Sequence, residues 1–311
     1  MTMKPAHLAR RQLFRRLALL APALALPSVA QANPAPALKP IPSTGETIPV
    51  LGLGSWITFN VGDDAQARDG CTAVMRAFFA AGGRLIDSSP MYGSSQPVIG
   101  QGLAALGPAA GSVFAADKVW IGAGARGPAQ IEASRRHWGV ARFDLLQVHN
   151  LLAWEAHLPQ LQTLKASGLL RYVGISTSEG RRHAELERIM RSQPLDFIQL
   201  SYNPLDREAE ARLLPLAQER GIAVIANRPF RQGELLQALA GERLPPWAGT
   251  ELGCSSWAAL VLKFIVSHPA ITCAIPATSQ VNHLRQNMAA ASGPMPDPAH
   301  RRRIAELIAA L

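Results

Sequence analysis

The sequence predicts an α/β protein built as a single (β/α)8 barrel, a TIM barrel, behind a cleavable leader. Three observations carry the prediction. Eight short apolar runs recur without polar alternation, the pattern of parallel strands buried on both faces. Segments of helical periodicity lie between them, so strand and helix alternate. Four polar residues then fall around the C-terminal ends of successive runs at even pacing: Asp87 to Lys118 is 31 positions, and Lys118 to His149 is 31 again. One strand, one helix and two loops fill such a step, and in barrels of this kind the reactive groups gather where the strands end.

The leader comes first. Residues 1–32 carry Lys4, Arg10, Arg11, Arg15 and Arg16 with no acid, then the apolar run LALLAPALALPSVA and an A-x-A cleavage site at Ala30-Gln31-Ala32. Pro22 and Pro27 interrupt the run, which is too short to span a bilayer, so no stable membrane anchor is expected after cleavage. The pair Arg10-Arg11 ahead of Leu13 and Phe14 resembles a twin-arginine export signal, which implies a periplasmic destination and the twin-arginine machinery as a partner. Residues 33–45 read as a proline-rich linker and 46–311 as the barrel.

The strand candidates are Val50–Gly54, Arg84–Ser88, Val113–Asp117, Leu145–His149, Tyr172–Ser176, Phe197–Leu200, Ala223–Ala226 and Thr272–Ile275. Among the helices, Ala67–Ala81 places Val74, Ala77, Phe78 and Ala81 on one stripe. The longer gap before the last strand holds Gly233–Leu239, a Pro/Gly-rich turn at Leu244–Gly249 and a long helix over Glu251–Val266, and a final helix spans Pro298–Leu311. Gly122-Ala123-Gly124-Ala125-Arg126-Gly127 is a formal GxGxxG. Its acid partner, Asp144, stands before an apolar run rather than after one, so the segment reads as a flexible loop at the rim and not as a Rossmann fingerprint.

Charge and cysteines bound the partners. The chain carries +9, five of it in the leader; the remaining +4 gives no nucleic-acid footprint. Cys71, Cys254 and Cys273 are widely spaced, form no CxxC and read as small core hydrophobes. No metal site is expected, because only His149 stands at a strand end, whereas a metal-dependent barrel hydrolase needs clustered ligands.

Asp87, Tyr92, Lys118 and His149 define the expected chemistry. A tyrosine with its ordinary pKa of about 10 is a poor acid at neutral pH. An adjacent ammonium lowers that value, and a carboxylate holds the ammonium in place. Asp87 would therefore anchor Lys118, Lys118 would tune Tyr92, and Tyr92 would protonate a reacting oxygen while His149 orients the carbonyl.

This set, with LGLGSW, GGRLID, MYG, ADK, LLQVH, VGIS, QLSYN and AIPATS in order from Pro49 to Asn287, resembles the aldo/keto reductases and their catalytic tetrad. The resemblance implies an NAD(P)H-dependent oxidoreductase reducing an aldehyde or ketone to an alcohol. It implies a site for NADP(H) or NAD(H) along the second half of the rim. Ser176, Thr177 and Gln199 would meet the nicotinamide carboxamide, and Ile275, Ala277, Thr278, Ser279, His283, Gln286 and Asn287 the adenosine end. Gly54, Ser55, Trp56, Asp87, Arg228, Pro229 and Phe230 complete the implied contacts. Where relatives place a stacking tyrosine this chain has Asn227, and where they place Lys and Arg for a 2′-phosphate it has Ala277 and His283. A neutral His grips phosphate less well than a bidentate Arg, so weak discrimination between NADPH and NADH is expected. Trp56, Met91, Trp120, Asn150 and Trp154 are the candidates for the substrate mouth. The alternative reading is a nucleotide-binding barrel acting as a non-catalytic regulatory or redox-sensing subunit.

Overall fold

The structure, a computed structural model, describes residues 35–311; the leader lies outside the described residues. The first elements are a hairpin, β1 (Leu38–Pro40) and β2 (Thr47–Pro49), paired antiparallel with Lys39 opposite Ile48. Eight parallel strands follow: β3 (Leu53–Gly54), β4 (Leu85–Asp87), β5 (Phe114–Val119), β6 (Phe143–Val148), β7 (Leu170–Ser176), β8 (Phe197–Ser201), β9 (Ala223–Asn227) and β10 (Cys273–Ala274). Each pairs with the next, and bridges Leu51–Ala274 and Gly54–Ala277 join the last strand to the first. The sheet is thus curled into a (β/α)8 barrel.

Side-chain alternation sorts the strand residues into two cores. Leu85, Phe114, Ala116, Leu145, Tyr172, Phe197, Ala223, Ile225 and Cys273 form the inner cluster, while Ile86, Ala115, Leu146, Val173, Ile198 and Val224 belong to the layer under the helices. The same period of two carries Asp87, Lys118, Gln147, Ser176 and Gln199 onto the inner face at the C-terminal ends. Lys118 therefore belongs to β5 itself rather than to the loop beyond it.

The expected linker is corrected in part. Leu38–Pro40 is a strand, and Ile41 and Ile48 are fully buried in the inner cluster, stoppering the barrel at its N-terminal end. Burying two isoleucines stabilises by about 1.5–3 kcal/mol each, which a solvated linker would forgo. Polar ties hold the hairpin down. Lys39 Nζ donates to the carbonyls of Val266, His268 and Ile271 at 2.8, 2.7 and 2.7 Å, and the Glu46 carboxylate accepts from Tyr172 Oη at 2.6 Å and pairs with Arg171.

The helices fill the outer layer: α1 (Ala65–Ala80), α2 (Ser95–Leu106), α3 (Gly127–Trp138), α4 (Trp154–Ala166), α5 (His183–Ser192) and α6 (Leu213–Arg220). Asp64 caps α1 by accepting from the Ala67 N–H at 2.9 Å. Between β9 and β10 come α7 (Glu234–Ala238), α8 (Pro246–Thr250) and α9 (Trp257–Val266). The helix expected from Glu251 starts only at Trp257, because Gly253 turns the chain at φ +64° and Ser256 caps the new helix through the Ala259 N–H. Finally α10 (Val281–Ala289) and α11 (Pro298–Ala310) follow, the latter capped by Asp297 and packed against α9.

The GxGxxG segment is also corrected: it is a packed turn, not a flexible loop. A Cβ on Gly124 would stand 2.5 Å from the Ala156 Cβ, and one on Gly127 would stand 2.7 Å from His157 Nδ1 and 2.8 Å from Gln160 Oε1. Its glycines let α4 approach the start of α3. A still closer contact joins α2 to α3, where a Cβ on Gly100 would lie 1.9 Å from the His137 carbonyl oxygen. Cys71, Cys254 and Cys273 are buried free thiols, as small core residues.

Candidate active site

The inner faces of β4, β5 and β6 deliver three of the four polar groups by the alternation above. Lys118 Nζ donates to Asp87 Oδ2 at 2.5 Å and to the Ser88 carbonyl at 2.8 Å, with Lys118 fully buried and Asp87 nearly so. Gln199 Nε2 donates to the other oxygen, Asp87 Oδ1, at 3.0 Å. Both carboxylate oxygens are thus engaged, as a buried charge requires.

Tyr92 arrives on the loop after β4. A turn closed by the Tyr92 N–H on the Ser89 carbonyl at 3.0 Å presents it, and Gly93 continues that turn at φ +57°. Any side chain at 93 would strike Asn60, whose Oδ1 would lie 2.2 Å from the added Cβ. The Lys118 ammonium sits 5.1 Å from the Tyr92 ring centroid, and the ring meets His149 edge-on with centroids 5.8 Å apart.

His149 follows β6 directly. Its Nδ1 lies 3.0 Å from Ser176 Oγ, and that oxygen also accepts the Asn150 N–H at 3.2 Å. The hydroxyl proton is therefore free to point at Nδ1, which leaves the ring proton on Nε2; this tautomer is assigned from the network. Asn150, at φ +51°, makes the sharp turn that follows.

Burial governs the protonation states. It pushes the Tyr92 phenol above its ordinary value, with Lys118 pulling the other way. This corrects the expectation that the lysine brings the phenol down: Lys118 acts in the expected sense, but desolvation outweighs it. Burial opposes the Lys118 ammonium too, yet the charge and hydrogen bond of Asp87, helped by Tyr92, outweigh that cost and raise it. For His149, burial and then Lys118 hold the imidazolium well below the usual range, so the ring is neutral at pH 7. On the outward face of β5, burial pushes the Asp117 carboxyl up to about 7 against hydrogen bonds from the Lys118 N–H and Gln96.

These groups face a cavity of about 460 Å3, within the range typical of small-molecule sites. Of the sequence-predicted residues, Asp87, Tyr92 and His149 line it, together with Gly54, Ser55, Trp56, Met91, Asn150 and Gln199. Arg228, Pro229, Phe230, Ile275, Ala277, Thr278, His283, Gln286 and Asn287 form the rest of the predicted wall. Lys118 sits behind the phenol rather than on the cavity surface. Ser176 turns to His149 instead of the cavity, and neither Thr177 nor Ser279 reaches the lining.

Two substrate candidates are misplaced. Trp120 follows β5 directly but is surface-exposed and absent from the cavity lining, its backbone paired with the Gln130 amide. Trp154 is buried at the start of α4 under the Arg188 guanidinium, 5.4 Å from its ring. Trp120 stands just past β5 and Trp154 opens α4, and in neither case was the direction of the side chain legible.

The sequence and the fold find their counterpart in known proteins. The model of the aldo/keto reductase family matches residues 50–307. The chain belongs to the aldo/keto reductase family. Methylglyoxal reductase YeaE of Escherichia coli is 29% identical to this aldo/keto reductase over 250 residues, 78% of this chain and 85% of that protein. An uncharacterized oxidoreductase of Schizosaccharomyces pombe is 26% identical over 257 residues, covering 78% of each. Among solved structures, an aldo/keto reductase from Klebsiella pneumoniae in complex with NADP and acetate superposes with a TM-score of 0.69 at 24% identity, covering 85% of this chain and 92% of that one. The holo form of a Bacillus halodurans aldo-keto reductase gives 0.72 at 20% identity, covering 88% and 96%. Both likenesses speak for the barrel.

Several cavity residues of this reductase had no sequence signal. Ile57, Ser178, Glu179, Gln232, Gly233, Leu236 and Ala258 line the wall from loops and from α7 and α9, where no periodicity marks which side chain faces inward. Glu179 is the informative one, since it pairs with Arg228 at 2.9 Å across the rim.

Proposed function

We propose that this enzyme reduces an aldehyde or ketone to an alcohol with NAD(P)H, Tyr92 acting as the general acid. The observation that carries the reading is a phenol and a neutral imidazole facing one cavity with the buried Lys118–Asp87 pair behind them. The cavity fits a dinucleotide. Gly54 comes so near β10 that a Cβ would lie 2.7 Å from the Ile275 carbonyl, which leaves bare backbone on that wall. Arg228, Ala277, Thr278, His283, Gln286 and Asn287 would hold the nucleotide end, and Gln199 and Ser55 the nicotinamide end. The reduced nicotinamide, when bound, supplies the hydride. Tyr92 keeps its proton at neutral pH and gives it to the carbonyl oxygen as negative charge grows there. His149 donates from Nε2 to the same oxygen. Lys118 stabilises the phenolate left behind, and Asp87 fixes Lys118. Trp56, Met91 and Phe230 keep water from the reacting atoms.

The Escherichia coli methylglyoxal reductase makes small 2-oxoaldehydes the first substrate class to test. With Ala277 and His283 on the nucleotide wall and Arg228 the one Lys or Arg among the described residues that line the cavity, both NADPH and NADH are expected to support turnover. Loss of a charge-assisted phosphate contact is worth roughly ten- to a hundredfold in affinity. Initial rates with methylglyoxal and either nucleotide measure this. An NADPH preference above about a thousandfold contradicts the cofactor reading, and no carbonyl reduction with either nucleotide overturns the function.

Residues 1–32 support export to the periplasm by the twin-arginine route, which carries folded proteins, so the barrel would close around its dinucleotide before crossing. Cell fractionation of an Arg10→Lys/Arg11→Lys chain should show the protein lost from the periplasm. Unchanged export defeats the route, and wild-type periplasmic protein recovered without nucleotide defeats the carried cofactor.

A further inference from the structure

Arg228 is the one Lys or Arg among the described residues that line the cavity. Its guanidinium does not face the cavity unopposed: Nη1 donates to Glu179 Oε1 at 2.9 Å, and the other carboxylate oxygen of Glu179 pairs with Arg181. Glu179 and Arg228 stand on the loops after β7 and β9, and both line the wall. The backbone under them is fixed. The Glu179 N–H donates to Ser201 Oγ at 2.9 Å, Ser201 Oγ donates to Asn227 Oδ1 at 2.7 Å, and Asn203 Nδ2 donates to the Arg228 carbonyl at 3.2 Å. Glu179 and Arg228 are both held in the left-handed region, at φ +60° and +50°. Non-glycine residues rarely adopt it unless the surroundings enforce it, and such enforced positions cluster at ligand clamps and switches.

The charges then decide what the pair does. Asp87 is neutralised by Lys118, so Arg228 is the cation left to meet an anionic ligand on this wall, and Glu179 occupies it. A diphosphate carries two negative charges and would be repelled by a carboxylate held at contact distance. Arg181, three-quarters exposed, offers Glu179 a second partner in solvent.

We infer that Glu179 is an internal latch on the cofactor trough: it holds Arg228 in the empty site and yields it to the dinucleotide's diphosphate, staying with Arg181. The inference rests on the proposed dinucleotide reading and adds to it a built-in competitor that sets affinity. The exchange is one ion pair for another, so binding is weaker than Arg228 alone would give. Glu179 lies outside the hydride and proton chemistry and acts by positioning Arg228.

Quenching of tryptophan fluorescence, with Trp56 in the cavity wall, gives Kd for NADPH and NADH. Glu179→Gln should tighten binding of both nucleotides by about tenfold, and Arg228→Gln should weaken it by about tenfold or more, the scale of a charge-assisted contact. In the double variant the gain from Glu179→Gln should vanish, since there is no cation left to release. KM for each nucleotide should move in the same direction as Kd in all three variants. Binding by the wild-type chain that Glu179→Gln leaves unchanged or weakens overturns the latch, as does an equal gain in the Arg228→Gln background. A wild-type chain that binds neither nucleotide overturns the underlying dinucleotide reading, and the latch with it.

Discussion

Tyr92→Phe is expected to lower kcat for carbonyl reduction by about 10²–10⁴-fold, the range for loss of a general acid, and to leave nucleotide affinity almost unchanged. The substitution removes one hydroxyl and keeps the ring that meets His149 edge-on and lies beside Lys118. Because that hydroxyl matters as charge develops on the carbonyl oxygen, the loss falls on kcat and kcat/KM together. Steady-state rates alongside nucleotide titration separate chemistry from binding. A variant that keeps most of its turnover removes Tyr92 from the mechanism and points to His149 as the donor.

The second large effect is on stability. Gly100→Ala is expected to cost about 3 kcal/mol, at the upper end for overpacking. The added methyl would stand 1.9 Å from the His137 carbonyl oxygen and 3.2 Å from the Trp138 carbonyl carbon, which are backbone atoms in the last turn of α3. No rotamer relieves a clash with backbone, so α2 must move off α3 and disturb Trp138, which packs edge-on against Phe143 with ring centroids 5.7 Å apart. For a chain of this size the expected drop in Tm is about 5 °C. Gly70→Ala, in α1 with nothing within 4 Å of the new Cβ, is the control and should be neutral or stabilising. Equal Tm values for the two variants would show that the helices are not locked at Gly100.

The sequence announced those parts of the fold whose signal is local. The strand-end positions of Asp87, Lys118 and His149 follow from the short apolar runs and their 31-residue pacing, while the inward series Phe114, Ala116, Lys118 shows only in the folded barrel. Tyr92 was legible from its place in MYG, just past the apolar run that ends at Asp87. Signals that depend on packing between distant segments were not legible. The hairpin over Leu38–Pro49 looks like a proline-rich spacer until Ile41 and Ile48 find the bottom of the barrel. Trp120 sits just past β5 and Trp154 opens α4, and neither side chain lines the cavity. Glu179 carried no mark at all, since its importance lies in a partner 49 positions further on.

The seam of the barrel has a consequence for motion. Where β10 meets the first strand, the described residues supply three backbone bonds: Gly52 N–H to Ala274, Ala274 N–H to Val50 and Gly54 N–H to Pro276. Pro276 has no N–H to return, so the ladder stops there. Gly54, Ile275 and Ala277 at this thin join are also part of the cavity wall. This thinly sewn edge of the cylinder therefore lies in the cavity wall, and amide exchange by local opening should start there before it reaches the long ladders of β5, β6 and β7. A nucleotide lying along that wall would act as a suture and slow that exchange.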